Sequence, residues 1–354
     1  MTKPAVILGI ETSCDETSCA VVADGRRVLA SVVANQIELH ARFGGVVPEI
    51  ASRAHIEAIN TVIEKALAEA GADGRDIAAV AVTNEPGLIG SLLIGLMAAK
   101  TLAWIWRVPL IGVNHVYAHA YSPALEAEPI HYPAAALVCS GGHTALYRCL
   151  SPVEMALLGS TIDDAAGEAF DKVAGILKLG YPGGPAIDAA ARAGDPKAVE
   201  LPRSLLRGQS LDFSFSGLKT AVLYHVNGVP GQVRPGRRQG GERKRGIENF
   251  TEREVADIAA SFQAAVVDVL RIKLRRAARA TGAKTLIGGG GVSANSALRA
   301  AAADLARKSG CTLRLPEMRF CVDNAAMVAG LAYHYLLAGR TAGLGLEARA
   351  TVRS

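Results

Sequence analysis

The sequence has no paired-cysteine motif. Its six cysteines are scattered over 354 residues, and no two of them form a CxxC pair. This spacing argues against both a zinc knuckle and a disulfide scaffold. Reduced thiols in a cytoplasmic protein are therefore expected.

The distribution of apolar residues also predicts neither a leader peptide nor a membrane span. The N-terminus has only a short apolar run before Glu11, which predicts a first strand instead of a signal peptide. The most apolar stretch, Gly87 to Trp106, is interrupted by Lys100, and small residues recur along it. We therefore expect a closely packed internal helix and no membrane association.

Aromatic residues make up only 5% of the chain, whereas half of the residues are hydrophobic and 20% are charged. This composition is typical of a globular protein and not of a disordered one. At about 150 residues per domain, the length predicts two domains. The formal net charge of +5 permits a polyanionic partner without requiring one.

Strand and helix patterns alternate along the chain, which predicts a mixed α/β fold. The opening, a strand to Ile10, a polar turn and a strand over Ala20–Ala23, recurs as Ala134–Cys139, a polar turn and Ala145–Cys149. This repetition predicts two related lobes, 1–130 and 131–354. Long helices are predicted from Glu49 to Ala70, from Ile89 to Trp106 and from Thr251 to Thr281. Shorter ones are expected over 163–177, 185–193 and 217–226, from Ser293 or Ala294, and from Asp323.

The segment from Gly228 to Asn249 stands apart from this alternation. It is rich in Gly, Arg and Lys and nearly free of large apolar residues. Such a composition fits a solvated surface loop, and it also fits a basic arm that contacts a nucleic-acid backbone.

Two histidines four residues apart, His115 and His119, suggest a metal site. On a helix they project from one face and can bind one ion. The pair resembles the zinc-protease HExxH motif, but no Glu follows the first His, so that general base is missing. A carboxylate from Asp323 would complete two His and one acid, the set that suits non-haem iron or catalytic zinc. Two histidines on a polar helix face and an ordinary N-cap at Asp323 explain the same residues.

Glycine-rich turns form a second constellation. Ser140, Gly141 and Gly142 follow a strand, and Gly288–Gly291 follows another, with Asn295 in the next helical turn. Glycines let backbone N–H groups approach an anion, and a helix N-terminus behind such a turn suits phosphate or adenosine. The turns match neither a Walker A loop nor a GxGxxG fingerprint. They nevertheless predict a nucleotide site.

Four carboxylates lie close together in Asp163–Lys172, followed by the turn Tyr181–Pro185 and by Asp188. An acidic run of this kind is usually a solvated helix face. A rigid Pro-Gly turn beside acids could equally hold a sugar or an amine by hydrogen bonds.

Taken together, these motifs resemble one family, the universal tRNA threonylcarbamoyladenosine synthase subunit (TsaD in bacteria), earlier labelled a glycoprotease. The matching segments run in family order over nearly the whole chain. They are Gly9–Thr17, Gly44–Arg53, His115–His119, Ser140–Thr144, Asp163–Lys172, Tyr181–Pro185, Asp212–Thr220, Gly289–Asn295 and Cys321–Asn324.

The resemblance implies an actin-like ATPase fold with two RNase H-like lobes around a nucleotide cleft. It implies transfer of a threonylcarbamoyl group from threonylcarbamoyl-AMP to N6 of adenosine 37 in tRNAs that read ANN codons. A divalent metal ion, iron with zinc as the alternative, would be held by His115, His119 and Asp323. ATP, ADP or the adenylate would be bound by Val138, Cys139, Ser140, Gly141, Gly142, Asp171, Gly184, Asp188 and Asn295. The Asp212–Thr220 segment receives no individual role.

Partners also follow from the resemblance alone: tRNA, a paralogous dimerisation subunit, a small ATPase and a separate synthase that makes the adenylate. Two features depart from the family pattern. Glu85 stands where the family usually has the first glycine of a GPGL loop, and the 228–249 insertion is longer than expected. A metalloprotease and a non-catalytic nucleotide-binding regulator are the alternative functions.

Overall fold

A computed structural model of the chain describes residues 4–206, 208–228 and 246–351. Residues 229–245, most of the predicted basic loop, lie outside this description. The strands among the described residues are β1 Val6–Glu11, β2 Glu16–Ala23, β3 Arg27–Asn35, β4 Ile77–Glu85, β5 Leu110–Asn114, β6 Ala134–Cys139, β7 Thr144–Ser151, β8 Glu154–Ser160, β9 Thr285–Gly289 and β10 Thr312–Arg314.

The helices are α1 Ile37–Ala41, α2 Pro48–Ala70, α3 Ile89–Trp106, α4 His115–Tyr121, α5 Ala166–Ile176, α6 Gly183–Ala191, α7 Ser216–Asn227, α8 Glu252–Thr281, α9 Ser296–Ser309 and α10 Ala325–Leu337. Local sequence explains the ends of the longest of them. Thr251 and Glu254 form a capping box at the start of α8, and Gly282 closes it in a left-handed conformation.

Two five-stranded sheets carry the fold in the described part of the chain, and their topologies are identical. The first has the order β3-β2-β1-β4-β5 and the second β8-β7-β6-β9-β10. In each sheet the first three strands in chain order are antiparallel and the last two join in parallel. The repetition predicted from the two strand-turn-strand openings is therefore present as a repeated sheet, as expected for a two-lobed actin-like fold.

Two strands were not predicted, β3 and β8. Both lie at the edge of a sheet and are half exposed, so neither has a continuous apolar run or a clean alternation. The predicted helix over 163–177 begins later, at Ala166. Asp163 and Asp164 therefore precede α5, which contains only two of the four clustered carboxylates.

A shared core joins the two sheets. Buried side chains of α4 and α10, such as Val116 and Met327, pack in one cluster with Ile7 of β1 and Val138 of β6. Although α10 comes last, it packs mainly on β1, β2 and β4 of the first sheet. The helix that carries the two histidines consequently lies between the two sheets.

Helix α3 is long and apolar enough to cross a membrane by length and composition, but a third of it is buried within the protein. Its buried side includes Ser91 and Gly95. Thr12 donates a hydrogen bond to the carbonyl of Ser91 (2.8 Å) and accepts one from the N–H of Gly95 (3.2 Å). Core helices of globular proteins meet the same criterion, so length and composition are weak grounds for a span.

All six cysteines are free thiols. Cys19 of β2 and both Cys139 of β6 and Cys149 of β7 are buried in the sheets. Burial raises the pKa of the Cys19 and Cys139 thiols well above the usual range and that of Cys149 to about 12. These thiols are accordingly unreactive in the folded protein.

Candidate functional site

The site begins at the carboxyl end of β5, where Asn114 caps α4. Its side chain accepts hydrogen bonds from the N–H groups of Val116 (2.9 Å) and Tyr117 (3.1 Å). The cap fixes the first helical residue as His115, so His119 lies one turn later on the same face. Their rings are 4.6 Å apart between centroids, and both side chains are buried.

Asp323 completes the cluster from the segment before α10. The sequence pattern predicted that this helix starts at Asp323, but it starts at Ala325, and the cap is Asn324, which accepts from the N–H of Met327 (3.0 Å). Capping therefore does not occupy the Asp323 carboxylate. Its Oδ1 lies 2.9 Å from Nε2 of His119 and 3.5 Å from Nε2 of His115.

Glu11 supports this cluster from behind, a role that the sequence did not reveal. Its Oε2 lies 3.0 Å from Nδ1 of His115 and accepts a hydrogen bond from Thr83 (2.6 Å), while Oε1 accepts from the N–H of Ser13 (2.5 Å). The available signal was a carboxylate at the end of a wholly buried strand. A carboxylate on the far nitrogen of a histidine fixes the ring and its tautomer, as in carboxylate–histidine–metal arrangements.

The charges in the cluster shift one another's protonation. Burial alone lowers the pKa of His115, but the carboxylates of Asp323 and Glu11 outweigh it and raise that pKa to about 9. Burial opposes ionisation of Asp323, yet His115 and His119 hold its pKa below the usual range. Burial lowers the pKa of His119 in spite of its bond to Asp323. His115 and each of the two carboxylates thus favour one another's charged forms.

The same three residues fit a metal ion. Their ligand atoms all lie within 4.8 Å of one another. Two ligands at about 2.1 Å from a tetrahedral ion are about 3.4 Å apart, close to the 3.5 Å between His115 and Asp323. Among the described residues, the buried Nδ1 of His119 has no hydrogen-bond partner. At His119 it is therefore Nε2, 2.9 Å from Asp323, that faces the shared centre.

The first glycine turn lies on the second sheet, directly after β6. Ser140 and His143 close it by two bonds: the Ser140 N–H donates to the His143 carbonyl (2.8 Å), and the His143 N–H donates to the Ser140 hydroxyl (3.2 Å). Gly141 and Gly142 are exposed, with open space where a Cβ would stand. They are the part of the turn that a ligand can approach.

Val138 and Cys139, predicted as binding residues, point their side chains into the cores on the two sides of the second sheet. Only their backbone could meet a ligand. His143, which the sequence pattern did not single out, places its ring 6.3 Å from that of His115. Burial, then the neighbouring His115 and His119, lower the pKa of His143 to about 4, so it is a neutral imidazole. The turn and the histidine cluster are therefore adjacent.

The second glycine turn brings two predicted residues, Asn295 and Asp188, into contact. Residues 291–294 form a 3-10 turn, and Asn295 is the cap of α9 instead of a residue in its first turn. The Asn295 amide donates to Asp188 (3.3 Å) and to Gln263 (2.6 Å), and Asp188 also accepts from Ser296 (2.7 Å). Asn295 and Asp188 thus belong to one polar network, which includes Gln263, a residue that the motifs did not indicate.

The backbone of this turn packs closely against α4, the helix that carries His115 and His119. A Cβ on Gly289 would stand 2.2 Å from the carbonyl oxygen of His119. Gly290 has φ of +84°, and a Cβ there would be 2.3 Å from the Cys139 carbonyl oxygen. Both glycines are required by packing. At Gly291 no atom lies within 4 Å of the position that a Cβ would take, so its space is open.

Asp171 and Gly184 lie on the neighbouring helices α5 and α6. The Asp171 carboxylate accepts a hydrogen bond from the N–H of Gly183 (2.7 Å) at the start of α6. Burial raises the pKa of Asp171. Gly184 has open space where a side chain would stand, which leaves its face of α6 accessible.

The unusual Glu85 is paired in this chain. Arg349 from the C-terminal segment lies 3.6 Å from its carboxylate, and the N–H of Arg349 donates to the carbonyl of Asn84 (2.8 Å). The loop that follows β4 then contacts the site, since Leu88 donates to the carbonyl of Ser13 (2.8 Å). The negative charge of Glu85, at the end of β4, is therefore compensated by Arg349.

Comparison with solved structures supports the fold. Component A of (R)-2-hydroxyglutaryl-CoA dehydratase from Acidaminococcus fermentans aligns with a TM-score of 0.52 at 15% identity, over 94% of this chain and 99% of that one. Full-length HypF in its phosphate- and nucleotide-bound form aligns with a TM-score of 0.58 at 14% identity, over 96% of this chain and 47% of that one. At such identities the likeness concerns the two-lobed, actin-like fold alone.

Sequence comparison is more specific. A family model described as tRNA N6-adenosine threonylcarbamoyltransferase matches residues 27–330. Proteins of that name from Geobacter sp. (strain M21) and Anaeromyxobacter dehalogenans (strain 2CP-1) are 50% and 49% identical over 343 residues. Each alignment covers 97% of this chain, and 95% and 97% of the respective relatives. The chain therefore belongs to the tRNA N6-adenosine threonylcarbamoyltransferase family.

Proposed function

We propose that this chain transfers a threonylcarbamoyl group from threonylcarbamoyl-AMP to N6 of adenosine 37 in tRNAs that read ANN codons. The observation that carries the proposal is the convergence of His115, His119 and Asp323 beside two glycine turns, in a chain of this family. In the reaction the adenine amine forms a C–N bond to the carbamoyl carbon. The C–O bond of the mixed anhydride breaks, AMP leaves, and the amine loses a proton.

We assign different roles to the histidine–aspartate cluster and to the two glycine turns. His115, His119 and Asp323 would hold one divalent ion, iron or zinc, which when bound supplies a Lewis acid for the acyl carbonyl or the leaving phosphate. Glu11 orients His115 through its Nδ1 atom. Because the anhydride is already activated, no covalent nucleophile is needed, and positioning carries much of the rate.

The nucleotide portion is assigned to the second lobe. The exposed backbone at Gly141 and Gly142 would face phosphate, and the network of Asn295 and Asp188 would position the adenosine or ribose. Asp171 and the open face at Gly184 would border the same ligand. For its target base to reach the cleft, the tRNA must extrude that base from its stack.

The remaining assignments come from the sequence. The repeated strand-turn-strand opening supports the division into lobes 1–130 and 131–354, and the unpaired cysteines support a cytoplasmic location. The resemblance implies three protein partners: a dimerisation subunit, a small ATPase and the adenylate-forming synthase. A tRNA-directed acyltransferase is consistent with the net charge of +5.

Metal analysis combined with an activity assay tests the proposal. Purified parent protein should contain about one equivalent of iron or zinc, and His115→Ala should lose it because two ligands hold an ion poorly. His131→Ala removes an exposed histidine and is the matched control. Formation of the modified nucleoside, measured by mass spectrometry of digested tRNA, should follow metal content across the three proteins. Full transfer by metal-free His115→Ala would refute the assigned site.

The metalloprotease alternative lacks a suitable base. Val116, which is buried, occupies the position after His115 where the protease motif has its Glu. Glu11 contacts Nδ1 of His115, on the side of the ring away from Asp323. We therefore expect no proteolysis by metal-loaded protein.

A further inference from the structure

Arg299 links the second glycine turn to the segment that carries Asp323. It lies on α9, one turn after the cap residue, and its N–H donates to the carbonyl of Asn295 (3.0 Å). Its guanidinium reaches in two directions. Nη1 donates to the carbonyl of Ser293 (3.0 Å), within the second glycine turn, and Nη2 donates to the carbonyl of Pro316 (2.8 Å).

The Pro316 contact lies on the segment that delivers Asp323. Residues 318–320 form a 3-10 turn, and Cys321 closes it with an N–H bond to the Met318 carbonyl (3.3 Å). The Cys321 thiol is buried and contacts the guanidinium of Arg299 at 3.9 Å. Asp323 follows two residues later. The guanidinium thus contacts this segment at Pro316 and at Cys321.

We propose that Arg299 is a positioning residue that couples nucleotide binding at the Gly289–Asn295 turn to metal binding through Asp323. One planar, fixed fork bonds a carbonyl in each segment, so a shift of the turn changes the geometry at Pro316. The coupling rests on the two sites of the proposed function. It goes beyond them because it assigns a role to a residue that contacts neither ligand.

The test is a thermodynamic cycle with Zn²⁺ and ADP as probes. In the parent, saturating ADP should raise Zn²⁺ affinity by about 5–150-fold, and Zn²⁺ should raise ADP affinity by the same factor. In Arg299→Gln the factor should fall well below that of the parent, since an amide cannot span both carbonyls. Arg299→Lys, which keeps one donor group, should give an intermediate factor. Arg307→Gln is the control, because Arg307 is exposed on the same helix and pairs with half-exposed Asp304.

Hydrogen exchange separates failure of this inference from failure of the proposed function. Absence of Zn²⁺ binding in the parent would refute the metal site. Hydrogen exchange at residues 316–324 would then show whether nucleotide binding still affects the segment that carries Asp323. ADP should slow this exchange in the parent and in Arg307→Gln but not in Arg299→Gln. The proposal is overturned if ADP changes neither Zn²⁺ affinity nor hydrogen exchange in the parent. It is also overturned if Arg299→Gln shows the same coupling as the parent. If Arg299→Gln does not fold, the same comparison is made with Arg299→Lys.

Discussion

Gly290 and Gly291 are adjacent, yet a methyl group would meet different surroundings at each. Gly290→Ala should lower the free energy of unfolding by about 1–3 kcal/mol, because φ is +84° and the new Cβ would collide with the Cys139 carbonyl. Gly291→Ala should change stability by less than about 0.5 kcal/mol and weaken ADP binding, since its methyl enters open space. Denaturant unfolding and ADP titration measure the two effects. Unchanged ADP affinity in Gly291→Ala would argue against a ligand at this turn.

Glu11 provides a second comparison between single residues. Glu11→Gln keeps the shape of the side chain but removes the negatively charged carboxylate that contacts Nδ1 of His115. Zn²⁺ affinity should fall about 10–100-fold. Glu64→Gln, an exposed acid on α2, is the matched control. Equal Zn²⁺ affinity in the Glu11 and Glu64 variants would limit Glu11 to a structural role.

Among the elements, α7 depends on an acid from another segment. Asp163 accepts hydrogen bonds from the N–H of Phe215 (2.9 Å) and from the hydroxyls of Ser214 and Ser216 (2.6 Å each). These bonds outweigh burial and lower the pKa of Asp163. Asp163→Ala should destabilise the protein by about 1 kcal/mol at neutral pH, an ordinary value for a lost cap on an exposed carboxylate.

The pH dependence of that loss follows from the lowered pKa. The stabilisation is complete above the unfolded-state pKa of about 3.9 and disappears as pH falls through the lower folded value. The difference between parent and Asp163→Ala, measured by urea unfolding, should therefore shrink below about pH 4. A difference that grows on acidification would contradict the assignment of Asp163 as an ionised cap.

Over the whole molecule, the C-terminal segment connects the end of the chain to the first lobe. Ala342 donates to the carbonyl of Leu110 (2.8 Å), and Arg349 pairs with Glu85. Removal of residues 341–354 should speed hydrogen exchange at 84–88 and reduce transfer activity, because the loop touching Ser13 loses its support. Removal of residues 352–354 alone is the control. Unaltered exchange at 84–88 in the longer truncation would show that the loop is held without the segment.

Local patterns were sufficient for much of this architecture. The apolar run of β1, the long helix predicted from Thr251 to Thr281 and the repeated strand-turn-strand opening each depend on neighbours in sequence, and each is present in the structure. The half-exposed edge strands β3 and β8 lack such a pattern. Their existence depends on pairing with β2 and β7, which only the folded sheets provide.

The candidate site shows the same limit. Spacing predicts that His115 and His119 share a helix face, but it cannot give the contact between His115 and Glu11, which are 104 positions apart. The sequence pattern also started the last helix at Asp323, whereas the structure starts it at Ala325 with Asn324 as the cap. The choice between these neighbouring residues as cap depends on packing. Asp323 was a candidate third ligand from the sequence, and the family resemblance pointed to the same residue, whereas Arg299 and Gln263 emerged only from the three-dimensional contacts.

The buried thiols make each sheet observable by its own chemistry. Alkylation requires a thiolate in contact with reagent, so Cys19 can be modified only when the first sheet opens, and Cys139 and Cys149 only when the second does. Peptide mass spectrometry distinguishes the three sites in a single sample. Under mild denaturant, equal labelling rates would mean that the lobes open as one cooperative unit, and unequal rates would rank their separate stabilities. No probe has to be engineered into the protein, since Cys19 reports on opening of the first sheet, and Cys139 and Cys149 report on opening of the second.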